Sequence, residues 1–137
     1  MFSIIADGNY IGEYESITGE IEFPTKYFRV TAGYKYEGIL TTNGVEAGGN
    51  FGPPLGQIKR IDKAVIRFLN TGNAQYGISG EHLFTIPMRE NGKGYFTGDK
   101  QLEFPANYHK KATVTVKQDK PYPCYIISIA MRGLTND

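Results

Sequence analysis

The 137-residue chain has the length of one domain and enough bulk to bury a core without disulfides or metals. Its 40% hydrophobic and 21% charged content belongs to a folded protein, not a disordered one. Fifteen basic and fourteen acidic residues leave a net charge of +1 with no long run of one sign, so the concentrated basic face of a nucleic-acid binder is not written into the sequence.

A single cysteine, Cys124, excludes an internal disulfide and any zinc site built on cysteines. The first residues, Met1 to Gly8, lack the basic region and the long apolar run of a signal peptide. No segment approaches the roughly 20 apolar residues that span a bilayer. The expectation is a protein made in, and retained in, a reducing compartment, with no membrane partner. Seventeen glycines and seven prolines are spread along the chain, which favours many short strands over a few helices.

In chain order, Phe2 to Ile5 is an apolar run closed by the turn signal Asp7-Gly8. Ile17, Ile21 and Phe23 alternate with Thr18, Glu20 and Glu22, predicting a half-exposed strand that ends at Pro24. After Pro24-Thr25-Lys26, Phe28, Val30, Ala32, Tyr34 and Tyr36 form the longest clean alternation of the chain. Asn43 to Gln57 is rich in glycine and proline and excludes regular structure; it is expected to be a mobile loop or contact arm. It lacks the lysine-serine/threonine ending of a phosphate-binding loop.

Gln57 to Thr71 fits two periods. Ile58, Ile61, Val65 and Leu69 have helical spacing, whereas Ala64, Ile66 and Phe68 alternate with Lys63, Val65 and Arg67 as in a strand. The lack of a Ser, Thr, Asp or Asn cap at Leu55-Gly56-Gln57 favours the strand. Thr71-Gly72-Asn73 is a predicted turn, Phe84, Ile86 and Met88 mark a strand, and Glu90 to Gly94 carries an Asn-Gly turn. Tyr95 to Thr97 predicts a short strand, Gly98-Asp99 a turn, and Leu102 with Phe104 a last weak strand before Pro105. Ala112 to Gln118 and Tyr125 to Arg132 then alternate on either side of Pro121-Tyr122-Pro123. They predict a hairpin in which Val116 faces Tyr125, Val114 faces Ile127, and Ala112 faces Ile129, with Tyr125, Ile127, Ile129 and Met131 on the core side.

Candidate chemistry is sparse. His82 and His109 are 27 residues apart with no second ligand beside either, so structural or exposed roles are expected. Gly77-Ile78-Ser79-Gly80 lacks nucleophile-elbow spacing, and Ser128 within an apolar run reads as packed. Glu20 and Glu22 read as a solvated face, and Cys124 without a nearby histidine as an ordinary thiol. The ten tyrosines suit cores, sheet faces and subunit contacts. No catalytic, cofactor-binding or metal-ligating residue is nominated, and no cofactor. The expectation is a single all-β domain over residues 1–137, an antiparallel β-sandwich or barrel-like fold of about eight to ten short strands.

Four motifs in order carry a resemblance. They are Val30-Thr31-Ala32-Gly33-Tyr34-Lys35-Tyr36; Lys59-Arg60-Ile61 running on to Leu69 after a glycine-rich connection; Phe96-Thr97-Gly98-Asp99; and Val114-Thr115-Val116-Lys117-Gln118-Asp119-Lys120-Pro121-Tyr122-Pro123 before an apolar strand. In this order the chain resembles the C-terminal part of the tail tubular protein B, or nozzle, family of short-tailed bacteriophages. The resemblance implies a non-enzymatic, β-rich structural virion protein in the phage tail, made in the host bacterial cytoplasm. It implies assembly with copies of itself in a ring-like oligomer, hexameric in the family, beside neighbouring tail proteins, with DNA only as passing cargo. It also supports a strand over Ile61 to Leu69. A carbohydrate-binding β-sandwich module that presents tyrosines to a glycan is the alternative function.

Overall fold

A computed structural model of the chain describes residues 1–43, 58–78, 81–104 and 113–136. Among them are ten strands and no helix: β1 Phe2–Ala6, β2 Asn9–Tyr14, β3 Val30–Tyr34, β4 Gly38–Thr41, β5 Ile58–Thr71, β6 Ala74–Ile78, β7 Glu81–Ile86, β8 Phe96–Glu103, β9 Val114–Gln118 and β10 Tyr125–Asn136. They form three antiparallel sheets, ordered β2-β1-β3, β10-β5-β8 and β4-β9-β6-β7. The all-β expectation holds, and the ambiguous segment after Gln57 is a 14-residue strand. Residues 44–57, Ser79, Pro105, Tyr108, His109 and Ala112 lie outside the described residues.

Two of the sheets face each other. Ile61, Ala64, Ile66 and Phe68 of β5 and Leu102 of β8 pack against Ala74 and Ile78 of β6, Ile86 of β7, and Val114 and Val116 of β9, with Met88 and Phe104 closing the same cluster. Strand β5 is the middle of its sheet, so its inward side chains are covered on both flanks, and Ile66 and Phe68 are fully buried. Strand β9 is also central, between β4 and β6, and here both faces are covered: Thr113 and Thr115 are buried as well as Val114 and Val116. The third sheet lies outside this cluster, and its own buried residues are Ser3, Ile4 and Ala6.

The predicted C-terminal hairpin does not form. β9 pairs with β4 and β6, while β10 pairs with β5 in the opposite sheet. The reason lies in the intervening Asp119 to Cys124, which is bonded to the β5–β6 corner instead of folding back. Gly72 N–H donates to the Pro123 carbonyl at 2.9 Å, and Asn73 Nδ2 donates to the Asp119 carboxylate at 2.8 Å. Tyr125 N–H donates to Thr71 Oγ1 at 3.1 Å. The predicted core face of β10 holds for Ile129 but not for Tyr125 and Ile127. A bulge between Ile126 and Ser128 adds a residue, so Ile126 and Ile129 pack on the core while Ile127 stays 59% exposed. Ser128, expected to be packed, is exposed.

Other expectations shift for similar reasons. Ile17 to Phe23 is no strand: Thr18-Gly19 turn back so that Ile17 bridges Glu20. The long alternation from Phe28 to Tyr36 becomes only β3, an edge strand of the small sheet exposed at all five residues. Gly98-Asp99 is not a turn. Tyr95 to Phe104 contains one strand, β8, in which Gly98 sits at φ 142°, a conformation glycine tolerates, opposite Phe68. The Asp7-Gly8 and Asn91-Gly92 turns hold, each with both residues at positive φ. The first joins β1 to β2, a strand absent from the expectations.

Phe68→Ala should lower stability by about 3 to 5 kcal/mol, because it empties a closed site between the two sheets. Ile127→Ala should stay within about 1 kcal/mol. Chemical denaturation of the two variants, followed by far-UV circular dichroism, checks the order; equal losses would overturn this assignment of the faces.

Candidate functional site

Three surface features concentrate chemistry or apolar area. The first is a clasp that joins the small sheet to the sandwich. Tyr122, buried between Pro121 and Pro123, accepts a hydrogen bond on its hydroxyl from Tyr10 N–H of β2 at 2.6 Å. The Arg89 guanidinium lies over the Tyr122 ring, 4.6 Å from its centroid, and 5.7 Å from that of Tyr95. Its Nε donates to the Gly94 carbonyl at 2.8 Å and its Nη2 to the Gly8 carbonyl at 3.1 Å. Gln118 Nε2 donates to the carbonyls of Lys120 and Tyr122, holding the loop in place. A Cβ on Gly72 would come within 2.6 Å of the Tyr122 Cβ, so only glycine fits beneath this ring.

The second feature is an open groove of about 310 Å³ along the flank where β4 and β10 leave the sandwich unsealed. Gly38, Ile39, Leu40, Val116, Gln118, Cys124 and Ile126 line it. Its rim is apolar, with Ile39 63% exposed. Cys124 is half-buried here, and burial pushes its thiol above the ordinary value, against a smaller opposing effect of the Thr71 hydroxyl. A raised value favours the thiol over the thiolate.

The third is a groove of about 440 Å³ at the β7–β8 end, lined by Pro87 to Glu90, Lys93, Tyr95 to Thr97 and Lys100. Arg89, Lys93 and Lys100 outnumber the one carboxylate, Glu90, and Tyr95 is exposed beside them. The Lys100 ammonium rests 4.2 Å from the Phe96 ring centroid.

The outer face of the β10-β5-β8 sheet carries a row of ion pairs. Arg67 grips Asp99 through Nε at 2.8 Å and Nη2 at 3.2 Å, and Arg132 reaches Asp62 at 2.7 Å. Lys63 and Glu103 are 3.8 Å apart. Hydrogen bonds from Arg132 and Arg67 hold the Asp62 and Asp99 carboxyls below the usual aspartate range.

The residues weighed from sequence stay apart. His82 is exposed, at φ 46°, and Glu20 and Glu22 are exposed on the excursion between β2 and β3. Among the described residues no group of three or more His, Cys, Asp or Glu converges as a metal site, and no helix is long and apolar enough to cross a membrane. The clasp residues Gly72, Arg89 and Tyr122 went unnoticed in the sequence. Their only trace was a tyrosine held between two prolines, and their partners come from positions far apart in the chain.

Two expectations follow. Gly72→Ala should destabilise the fold by about 1 to 3 kcal/mol, since the new methyl meets a Cβ fixed by the loop, while Tyr122→Phe should loosen mainly the small sheet. Hydrogen exchange at Tyr10 separates these outcomes. Asp62 and Asp99 have lowered pKa values in the folded state, so the stability they add is present above the ordinary aspartate pKa, about 4. It is lost as pH falls through the lower folded values. Combining Asp62→Asn with Asp99→Asn should flatten the acid limb of Tm against pH, and added salt should shrink the difference.

No protein-family model matches the chain, and no curated protein matches it.

Proposed function

We propose that this chain is a structural virion protein, a nozzle-type subunit of a phage tail that works by assembling with copies of itself and with neighbouring tail proteins around a DNA channel. The proposal assigns it no catalytic residue, cofactor or metal. The observation that carries the reading is large apolar surface placed on open edges. Ile39 on β4, Tyr125 and Ile127 on β10, Tyr34 on β3 and the fully exposed Phe28 all stand open to solvent. Scattered exposed apolar residues are ordinary; their concentration on and beside the edge strands β3, β4 and β10 supports a reading in which they are covered in an assembly. A closed ring removes such edges through head-to-tail contacts.

One observation favours a second reading as a carbohydrate-binding module. The groove at the β7–β8 end combines an exposed Tyr95 with an excess of cations, a lining suited to stacking on a sugar ring that bears an acidic group.

Light scattering across protein concentrations and immunogold electron microscopy of phage tails test the first reading. The expected result is concentration-dependent assembly and labelling of the tail. Tight binding to an acidic glycan array, lost on Tyr95→Ala, with no tail labelling, would overturn it in favour of the second.

A further inference from the structure

We infer that the groove at the β7–β8 end seats the carboxylate of an acidic sugar on Lys93 and Lys100, with Arg89 fixed as part of its wall. The inference deepens the carbohydrate-binding reading, on which its sugar rests, and does not require the tail reading.

The register of β8 with β5 assigns its faces. Lys100 lies opposite the buried Ile66 and Leu102 opposite the buried Ala64, so both belong to the side that faces the other sheet. A charge on this side is costly without a partner. Gly98, on the same face between Phe96 and Lys100, makes one available. It has no side chain, and the Phe96 ring lies over it: a Cβ there would come within 3.2 Å of the ring's Cζ. The Lys100 ammonium rests on that ring, 4.2 Å from its centroid. Lys100 is therefore half-buried with its charge met by an aromatic face and not by a carboxylate.

Other cations of the chain are neutralised. Lys35, Lys63, Arg67, Lys117 and Arg132 each meet a carboxylate within 3.8 Å. Among the described residues neither Lys93 nor Lys100 does, although Glu90 lines the same groove. Arg89 has other work. Its Nε and Nη2 are committed to the Gly94 and Gly8 carbonyls, and its face lies on Tyr122. Two lysines with uncommitted N–H donors thus share one groove, and a single anionic group satisfies both.

The rest of the lining sets the kind of anion. Tyr95 is 46% exposed and offers a ring face beside the cations. The volume of about 440 Å³ falls within the roughly 300 to 1,000 Å³ of small-molecule sites. A carboxylate carried on a pyranose ring uses both features, its charge on the lysines and its apolar C–H face on Tyr95. The Thr97 hydroxyl is occupied by Asn70 and adds nothing to the recognition. The groove between β4 and β10 offers no comparable guide, since its lining carries no charge by which to name an occupant.

Titration of the whole chain with D-glucuronate, followed by amide NMR shifts, tests this against D-glucose and acetate. Glucuronate should shift the amides from Met88 to Lys100 and bind about tenfold more tightly than either comparison probe. Lys93→Gln and Lys100→Gln should each weaken glucuronate about tenfold, the scale of a hydrogen bond to a charged group. Lys26→Gln, an exposed lysine outside the groove, should leave it unchanged. Tyr95→Ala should weaken glucuronate and leave acetate as it was. Glucuronate binding indifferent to both lysine changes overturns the seat while leaving the carbohydrate reading standing. Equal binding of acetate and glucuronate, indifferent to Tyr95→Ala, overturns the sugar and leaves a site for a bare anion. No shift with any probe overturns the seat as well, and glycan-array binding retained in the double lysine variant would then move the carbohydrate reading to another part of the surface.

Discussion

The close approach of Gly72 to Tyr122 governs how this chain changes layers. β5 and β6 are separated by Gly72 and Asn73 alone, yet they belong to opposite sheets, and β9 and β10 cross in the reverse direction. The two crossings lie against each other, joined by the bond from Gly72 N–H to Pro123 O and by the fit of the Tyr122 ring over a residue with no side chain. A tight corner of this kind leaves backbone groups without ladder partners, and they must be satisfied locally. Here the second crossing satisfies the first. With both corners set, β5 and β10 must lie in one sheet and β6 and β9 in the other.

The same corner reaches outward to the small sheet. Tyr122 packs on Gly72 with one part of its ring, carries the Arg89 guanidinium on its face, and receives the Tyr10 amide at its hydroxyl. Arg89 then ties the β1–β2 turn through Gly8 and the β7–β8 turn through Gly94. Within the small sheet Asp7 has a similar part: its carboxylate accepts from the amides of Phe28 and Arg29 at 3.1 and 2.9 Å, returning the irregular stretch after β2 to the start of β3. Polar contacts at a few turns, more than a shared apolar core, join this sheet to the sandwich, whose main cluster includes none of its residues.

Among the described residues the flank between β4 and β10 has no such closure. There the 3-stranded sheet faces a 4-stranded one, and an apolar groove lies along this side. The groove adjoins the two edge strands that also carry the exposed Ile39 and Ile127.

The sequence by itself determined the class of fold and the location of the elements that local physics controls. Alternation of branched and aromatic residues produced strands at β5, β7, β9 and β10, and Asp7-Gly8 and Asn91-Gly92 turned where their positive φ values are tolerated. Tertiary structure alone decided which strands pair, which face of each is buried, and where the clasp forms. A strand's ladder groups are alike along its length, so period-2 patterning cannot name the neighbour; β9 and β10 looked like a hairpin until the Thr71-Gly72-Asn73 corner claimed the loop between them. One inserted residue at Ile127 turned Tyr125 and Ile127 away from the core face that alternation assigned, while Ile129 kept it. The surface grooves were illegible for the same reason, since each is lined by residues that only the pairing of distant strands brings side by side.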